Sequence, residues 1–315
     1  MDSLIYSLNA TLPVFLVIVV GYVLKQIGIL NDGFVKTANK FNFVVTLPVL
    51  LFVDLSTTDI IGDFDIKYVL YCALVTTVAF FGLWIAAKFL IKDKKIVGEF
   101  VQAGYRSSAA ILGVAFIQNI YGNTGMAPLM IIGSVPLYNI MAVIVLSFFQ
   151  PEQKGLDSKV LKKTLIGILT NPIILGIIAG FVWSALKIPM PQILNKTATS
   201  IGATATPLGL MAMGAMFDIH KALGKAKPAI TATFIKLIGL CAIFLPIAIL
   251  LGFRNEELLA ILVMLGSGTT VACYVMSRNM GHEGVLTSSV VMLTTLFSSF
   301  TVTGWLYILK TLGLI

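Results

Sequence analysis

Apolar residues fall in long blocks along this chain, most of them near the ~20 residues that a bilayer-spanning helix requires, with short polar stretches between them. The blocks lie at about 5–29, 34–56, 67–91, 99–121, 126–149, 165–187, 192–217, 229–252, 257–280 and 285–311. The pattern predicts an all-α polytopic membrane protein of ten transmembrane helices. Two blocks break the pattern at their centres. Gly104-Tyr-Arg-Ser-Ser-Ala-Ala-Ile-Leu-Gly113 places an arginine and two serines in the fourth. Leu265-Gly-Ser-Gly-Thr-Thr-Val271 places small and hydroxyl residues in the ninth. Such residues weaken a helix and leave backbone groups free, which is tolerated at membrane depth only where protein or a water-filled cavity covers them. The expectation is two discontinuous helices, unwound near Ser108 and Gly268, that cross at one substrate site.

Composition supports the membrane reading. Of 315 residues, 58% are apolar and 11% charged, against about 45–50% and about 25% in soluble domains. The first block is too long for a signal-peptide core and lacks a small-residue cleavage site, so it counts as a span. Cys72, Cys241 and Cys273 lie far apart inside apolar blocks and suggest neither a disulfide framework nor a metal site. The net charge of +8 does not indicate nucleic acid, because the lysines fall between spans. Assigning the loops alternately puts fifteen Lys and Arg on one side and five on the other, with Arg106 and Lys236 inside spans. That bias makes the richer side cytoplasmic and both termini extracellular. Asp54, Asp59, Asp63 and Asp65 read as the solvated face of an outer loop.

The chain also repeats. Pro13 and Pro172, Gly21 and Gly180, Pro48 and Pro207, Gly122 and Gly281, and Gly125 and Gly284 all share an offset of 159 residues. The same offset carries Ser108 onto Ser267. The domain reading is a five-helix repeat over 1–149, a polar cytoplasmic linker over 150–164 and a second five-helix repeat over 165–315. Five is odd, so the second repeat is expected inverted, the arrangement of secondary transporters.

The chemistry expected at the crossing is that of an anion site. Each second half-helix begins with unpaired N–H groups carrying partial positive charge. Arg106 adds a full charge with a fork matched to carboxylate. Ser107, Ser108, Ser267, Thr269 and Thr270 add hydroxyls, and Gly268 lets backbone approach a ligand. Taken singly, these Ser and Thr residues also read as helix–helix packing positions. Asn139 in the fifth block, and Asn42 and Tyr138 as path-lining residues, read either as substrate contacts or as helix–helix hydrogen-bond partners. Lys236 lies about two turns into its span and is expected to reach the cytoplasmic surface. Asp54, Glu99 and Asp218 lie at span ends, which disfavours a cation/proton antiporter. His220 and His282 fall in loops and read as solvated. No nucleotide-binding loop, nucleophile constellation or metal-ligand spacing occurs, so neither enzyme nor cofactor is expected.

Several stretches resemble the auxin efflux carrier family, which includes the plant PIN carriers and bacterial malate and malonate permeases. Asn171-Pro-Ile-Ile-Leu-Gly-Ile-Ile-Ala-Gly180 is similar to its sixth-span signature, Thr206-Pro-Leu-Gly-Leu-Met-Ala-Met-Gly-Ala215 to its seventh, and Leu137-Tyr-Asn-Ile-Met-Ala-Val143 to its fifth. Arg106-Ser-Ser-Ala-Ala-Ile-Leu-Gly-Val-Ala115 matches its fourth-span pattern, with Ser108 where the family usually has Asn and Ala115 where it has Pro. Gly268-Thr-Thr-Val271 stands where the family often has Pro-Thr-Ala. The resemblance implies a scaffold of helices 1, 2, 6 and 7, a mobile transport domain of helices 3–5 and 8–10, a homodimer, and a place in a bacterial cytoplasmic membrane. It also implies a small organic acid substrate, with a dicarboxylate such as malate or malonate expected from Arg106 and the hydroxyls. The alternatives are a hydrophobic monocarboxylate of the auxin type, or an anion-binding sensor or channel without coupled transport.

Overall fold

The computed structural model describes residues 2–57, 65–109, 117, 125–150, 166–167 and 169–315. No strand occurs among the described residues. In chain order the helices are α1 (Asp2–Gln26), α2 (Asp32–Phe41), α3 (Leu47–Ser56), α4 (Ile66–Leu90), α5 (Val97–Tyr105), α6 (Ala127–Phe148), α7 (Pro172–Ala185), α8 (Gln192–Ala203), α9 (Ala205–Ala215), α10 (Ile219–Gly224), α11 (Ala226–Phe234), α12 (Leu240–Leu250), α13 (Asn255–Gly266), α14 (Ala272–Asn279) and α15 (Val285–Thr311). π-helical turns join α2 to α3 (Asn42–Thr46) and α11 to α12 (Ile235–Gly239).

Helix lies in each of the ten apolar blocks. Five stretches among the described residues are long and apolar enough to cross a membrane: Asp32–Ser56, Ile66–Leu90, Ala127–Phe148, Ala226–Leu250 and Val285–Thr311. Polar residues start several of the helices by accepting orphan backbone N–H groups. Asn31 accepts from Phe34, Asp65 from Tyr68, Asn171 from Ile173 and Asp218 from Lys221. Asp65 is thus a helix cap, and Asp54 is a partly buried residue of α3. The expectation that both belong to a solvated loop face is corrected for these two; Asp59 and Asp63 lie outside the described residues.

Two helix pairs pack backbone against backbone. α1 runs along α9, where a Cβ on Gly214 would collide with the Ile18 carbonyl. α3 runs along α7, where a Cβ on Gly176 would come within 2.5 Å of the Pro48 carbonyl oxygen. Small residues allow this approach, and dispersion then holds helices that water does not drive together.

Several elements recur at nearly the offset read from the prolines and glycines. α4 begins at Ile66 and ends at Leu90; the α11–α12 stretch begins at Ala226 and ends at Leu250, 160 residues later at both ends. Gly125 and Gly284, one of the 159-residue pairs, both take positive φ (45° and 71°) just before α6 and α15. Only glycine adopts that backbone without strain.

Both polar centres are unwound. α5 stops at Tyr105, and Arg106 turns to extended backbone with φ −77° and ψ 142°. α13 stops at Gly266, Ser267 is extended with φ −71° and ψ 159°, and helix resumes at Ala272. The second half of the fourth block falls largely outside the described residues. The two breaks meet directly, since the Ser108 N–H donates to the Gly268 carbonyl at 2.9 Å.

Candidate functional site

The breaks bring together groups that a continuous helix would keep apart. Ending α13 at Gly266 leaves its last carbonyls without helical donors. The Ser107 hydroxyl and the Lys236 ammonium supply them, Ser107 donating to the Met264 carbonyl and Lys236 to the Leu265 carbonyl. Lys236 also donates to Ser107 Oγ at 2.5 Å. Across the crossing, Thr269 Oγ1 donates to the Ala103 carbonyl at 2.8 Å, and the Thr269 N–H donates to Thr294 Oγ1 of α15 at 2.9 Å. Gln102 Nε2 reaches the Cys273 carbonyl at 2.9 Å and Ser277 Oγ at 2.5 Å, tying α5 to α14. The unwound backbone is thus covered by protein, the condition for irregular chain at membrane depth.

Arg106 is 2% exposed. Its Nη2 donates to Asn139 Oδ1 at 2.9 Å, and its Nη1 donates to the Met276 sulfur at 3.0 Å and, weakly, to Gln102 Oε1 at 3.4 Å. Asn139 is aimed by its own amide, whose Nδ2 donates to the Val135 carbonyl one turn back on α6 at 2.9 Å. Arg106 Nε has no partner among the described residues. No carboxylate among the described residues forms an ion pair with Arg106 or with Lys236. A buried guanidinium is ordinarily paired; among the described residues this one is held by neutral groups.

Two small cavities flank the crossing. The first, about 50 Å³, is lined by Arg106, Ser107, Ser108, Tyr138, Asn139 and Thr270, with Thr206 and Asp54 from neighbouring helices. The second, about 30 Å³, is lined by Ser108, Gly268, Thr269 and Thr270 together with Thr206 and Thr295. Since about 10–15 Å³ of such volume accommodates one water, the first holds a few waters, or a group the size of a carboxylate.

The structure therefore gathers Arg106, Ser107, Ser108, Tyr138, Asn139 and Thr270 around one cavity and Gly268 and Thr269 around its neighbour. Ser267 lines neither cavity; its hydroxyl is buried without a partner among the described residues. Asn42 also lines neither. It donates to the Ala205 carbonyl at 2.9 Å and accepts from Thr46 Oγ1 at 2.5 Å, joining the π-helical turn to α9.

Two side chains differ from the expectations set by sequence, and a third, Glu99, stands where expected but takes on a task that the sequence did not show. Lys236 does not reach the surface; it is fully buried and points to the crossing. The π-helical turn Ile235–Gly239 contains it, and neither the turn nor its effect on side-chain direction is written in the apolar run. His282 is 2% exposed rather than solvated, with Nε2 2.9 Å from the Leu146 carbonyl. Glu99 does lie in the first turn of its helix, yet it is buried and caps α15 from a distance. It accepts from the Gly284 N–H at 3.0 Å and from the Thr287 N–H and hydroxyl, both at 2.9 Å. Gln102 could have been found, because it lies four residues before Arg106 on the same helix face. Asp54 and Thr206 reach the cavity only through packing of separate helices.

The family model described as "Membrane transport protein" matches residues 6–306. An uncharacterized transporter of Methanothermobacter thermautotrophicus is 20% identical over 310 residues, covering 96% of this chain and 98% of the relative. An uncharacterized transporter of Methanocaldococcus jannaschii is 22% identical over 313 residues, with the same coverage of each chain.

Proposed function

This chain belongs to the membrane transport protein family, the auxin efflux carriers, and on that premise we propose that it is a secondary carrier for a small organic anion, with its site at the crossing of the two broken helices. The observation that carries the reading is Arg106: a buried guanidinium at a cavity edge, aimed by Asn139 and Gln102, with no carboxylate partner among the described residues. A substrate carboxylate at the cavity completes the pairing that the protein leaves open. Ser108 and Thr270 line the same cavity and would receive a second polar group. The small cavity, in which Arg106, Ser108 and Thr270 stand among apolar walls that include Leu47, Leu51 and Val135, favours by its size a compact acid such as malate or malonate over a bulky hydrophobic monocarboxylate.

The proposed architecture is ten membrane helices in two inverted repeats, supported by the recurrence of helix bounds and glycine conformations at offsets of 159 and 160. The scaffold would be α1–α3 with α7–α9, whose glycine-mediated contacts suit a rigid unit. The remaining helices would carry the site between membrane faces in alternating access. Counterflow in proteoliposomes tests the function. Vesicles loaded with malonate or malate should accumulate the labelled acid, whereas vesicles loaded with indole-3-acetate should not. Failure of every small acid in the panel to exchange, with the protein shown to be folded and inserted, would remove the reading.

A further inference from the structure

The cavity beside Arg106 has a second charged wall, and the anion site above gives that wall no task. Leu47, Leu50, Leu51 and Asp54 line the cavity from α3. Their spacing of three or four residues puts them on one face of the helix. Leu47 and Asp54 stand two turns apart, about 10 Å along the axis. The cavity follows α3 over that length, and Asp54 marks its end, near the last residue of the helix, Ser56. Among the described residues of the lining, Asp54 is the one carboxylate and Arg106 the one cation.

Among the described residues no ion pair joins the two. The terminal nitrogens of Arg106 are held instead by Asn139, Met276 and Gln102. A positive and a negative group thus line one small cavity without being paired to each other. Substrates of different charge meet this arrangement differently. A diacid puts one carboxylate on Arg106 and brings the other into the field of Asp54, a like charge. A molecule with one carboxylate and one ammonium sets opposite charge against each group. A carboxylate has about four lone-pair sites, so Asp54 can receive an ammonium beside any bond it already makes. The ammonium has two further donors, and the hydroxyls of Ser108 and Thr206 line the same cavity as acceptors.

We propose that the site also takes compact amino acids, with the carboxylate on Arg106 and the ammonium on Asp54. The inference rests on the anion site proposed above, because Arg106 receives a carboxylate in both cases. It adds a second substrate class and makes Asp54 the residue that discriminates between the two. The carboxylate of Asp54 attracts an ammonium and opposes a second carboxylate, so one group supplies both the favourable and the repulsive element of specificity. Leu47, Leu51 and Val135 give the cavity apolar walls, which suit the bare methylenes that join the two charges in glycine and β-alanine.

Calorimetry on the purified full-length protein at pH 7 tests this with three acids: malonate, β-alanine, and propionate, which is β-alanine without its amine. The amine is protonated at that pH, as alkylammonium groups are. The wild type is expected to bind β-alanine at least about tenfold more tightly than propionate. Asp54→Asn is expected to weaken β-alanine binding at least about tenfold, while malonate binding tightens. β-Alanine bound no more tightly than propionate by the wild type overturns the inference, and that comparison needs no variant. So does a folded Asp54→Asn protein that binds β-alanine as tightly as the wild type does. Either result, with malonate still bound through Arg106, leaves the anion site standing. Absence of binding by all three acids and by malate overturns the anion site and the inference with it.

Discussion

Arg106 has neutral hydrogen-bond partners on both terminal nitrogens but no ion-pair partner among the described residues, and each of those neighbours fixes its direction rather than its charge. Asn139 is held by the Val135 carbonyl, and Gln102 is held across the crossing by Cys273 and Ser277. Replacing Gln102 by Glu would put a carboxylate where Oε1 now accepts from Arg106. Gln102→Glu is therefore expected to abolish malonate binding at neutral pH while the protein stays monodisperse, as read by calorimetry and size-exclusion chromatography. Asp54 acts in the opposite sense. It lines the same cavity, so an entering anion approaches a like charge, and Asp54→Asn should tighten malonate binding several-fold. The serines separate by position. Ser108→Ala should weaken binding by about 0.5–1.5 kcal/mol, as for a neutral hydrogen bond, whereas Ser267→Ala, at a residue outside both cavities, should leave affinity unchanged.

At the scale of elements, the crossing is held by caps drawn from far along the chain. Glu99 is the main one on α15: its two oxygens accept three N–H and O–H donors at the helix start, where negative charge is favoured. Glu99→Gln replaces one acceptor oxygen with a donor NH₂ facing those same donors. It should lower stability by about 1–3 kcal/mol, read as a fall in melting temperature, with little change in malonate affinity. Gly214→Ala should destabilise by about 1–3 kcal/mol by the same assay, because the added methyl meets the Ile18 backbone.

Much of this arrangement was legible in the sequence where the signal is local. The breaks at Arg106–Ser108 and Ser267–Thr270 follow from small and polar residues inside apolar blocks, and the positive φ of Gly125 and Gly284 follows from a repeated turn glycine. What was not legible depends on contacts between distant segments. Lys236 was misread because it stands inside a π-helical turn, which changes where its side chain points, and no residue type marks such a turn. His282 was read as solvated, and the burial of His282 and the cap made by Glu99 were not legible, since they come from α6 and α15, more than a hundred residues away in sequence.

For the whole molecule, the fifteen-to-five distribution of Lys and Arg predicts that the polar stretch over 150–164 faces the cytoplasm and both termini face out. Single cysteines placed in that stretch should react with a membrane-impermeant maleimide only after cells are opened; labelling of intact cells would reverse the orientation. The homodimer implied by family resemblance should appear as a detergent-corrected mass of two chains in light scattering. The account as a whole stands on Arg106 as the group that receives the acid. Its most direct test is malonate affinity measured by calorimetry on monodisperse Arg106→Ala protein. Removing a buried charged partner should weaken binding by about 2–5 kcal/mol, or about 30-fold to several thousand-fold, with Arg106→Lys recovering only part because an ammonium cannot form the paired contact. Unchanged affinity in folded Arg106→Ala would contradict it, leaving the arginine a structural tie between α5 and α6.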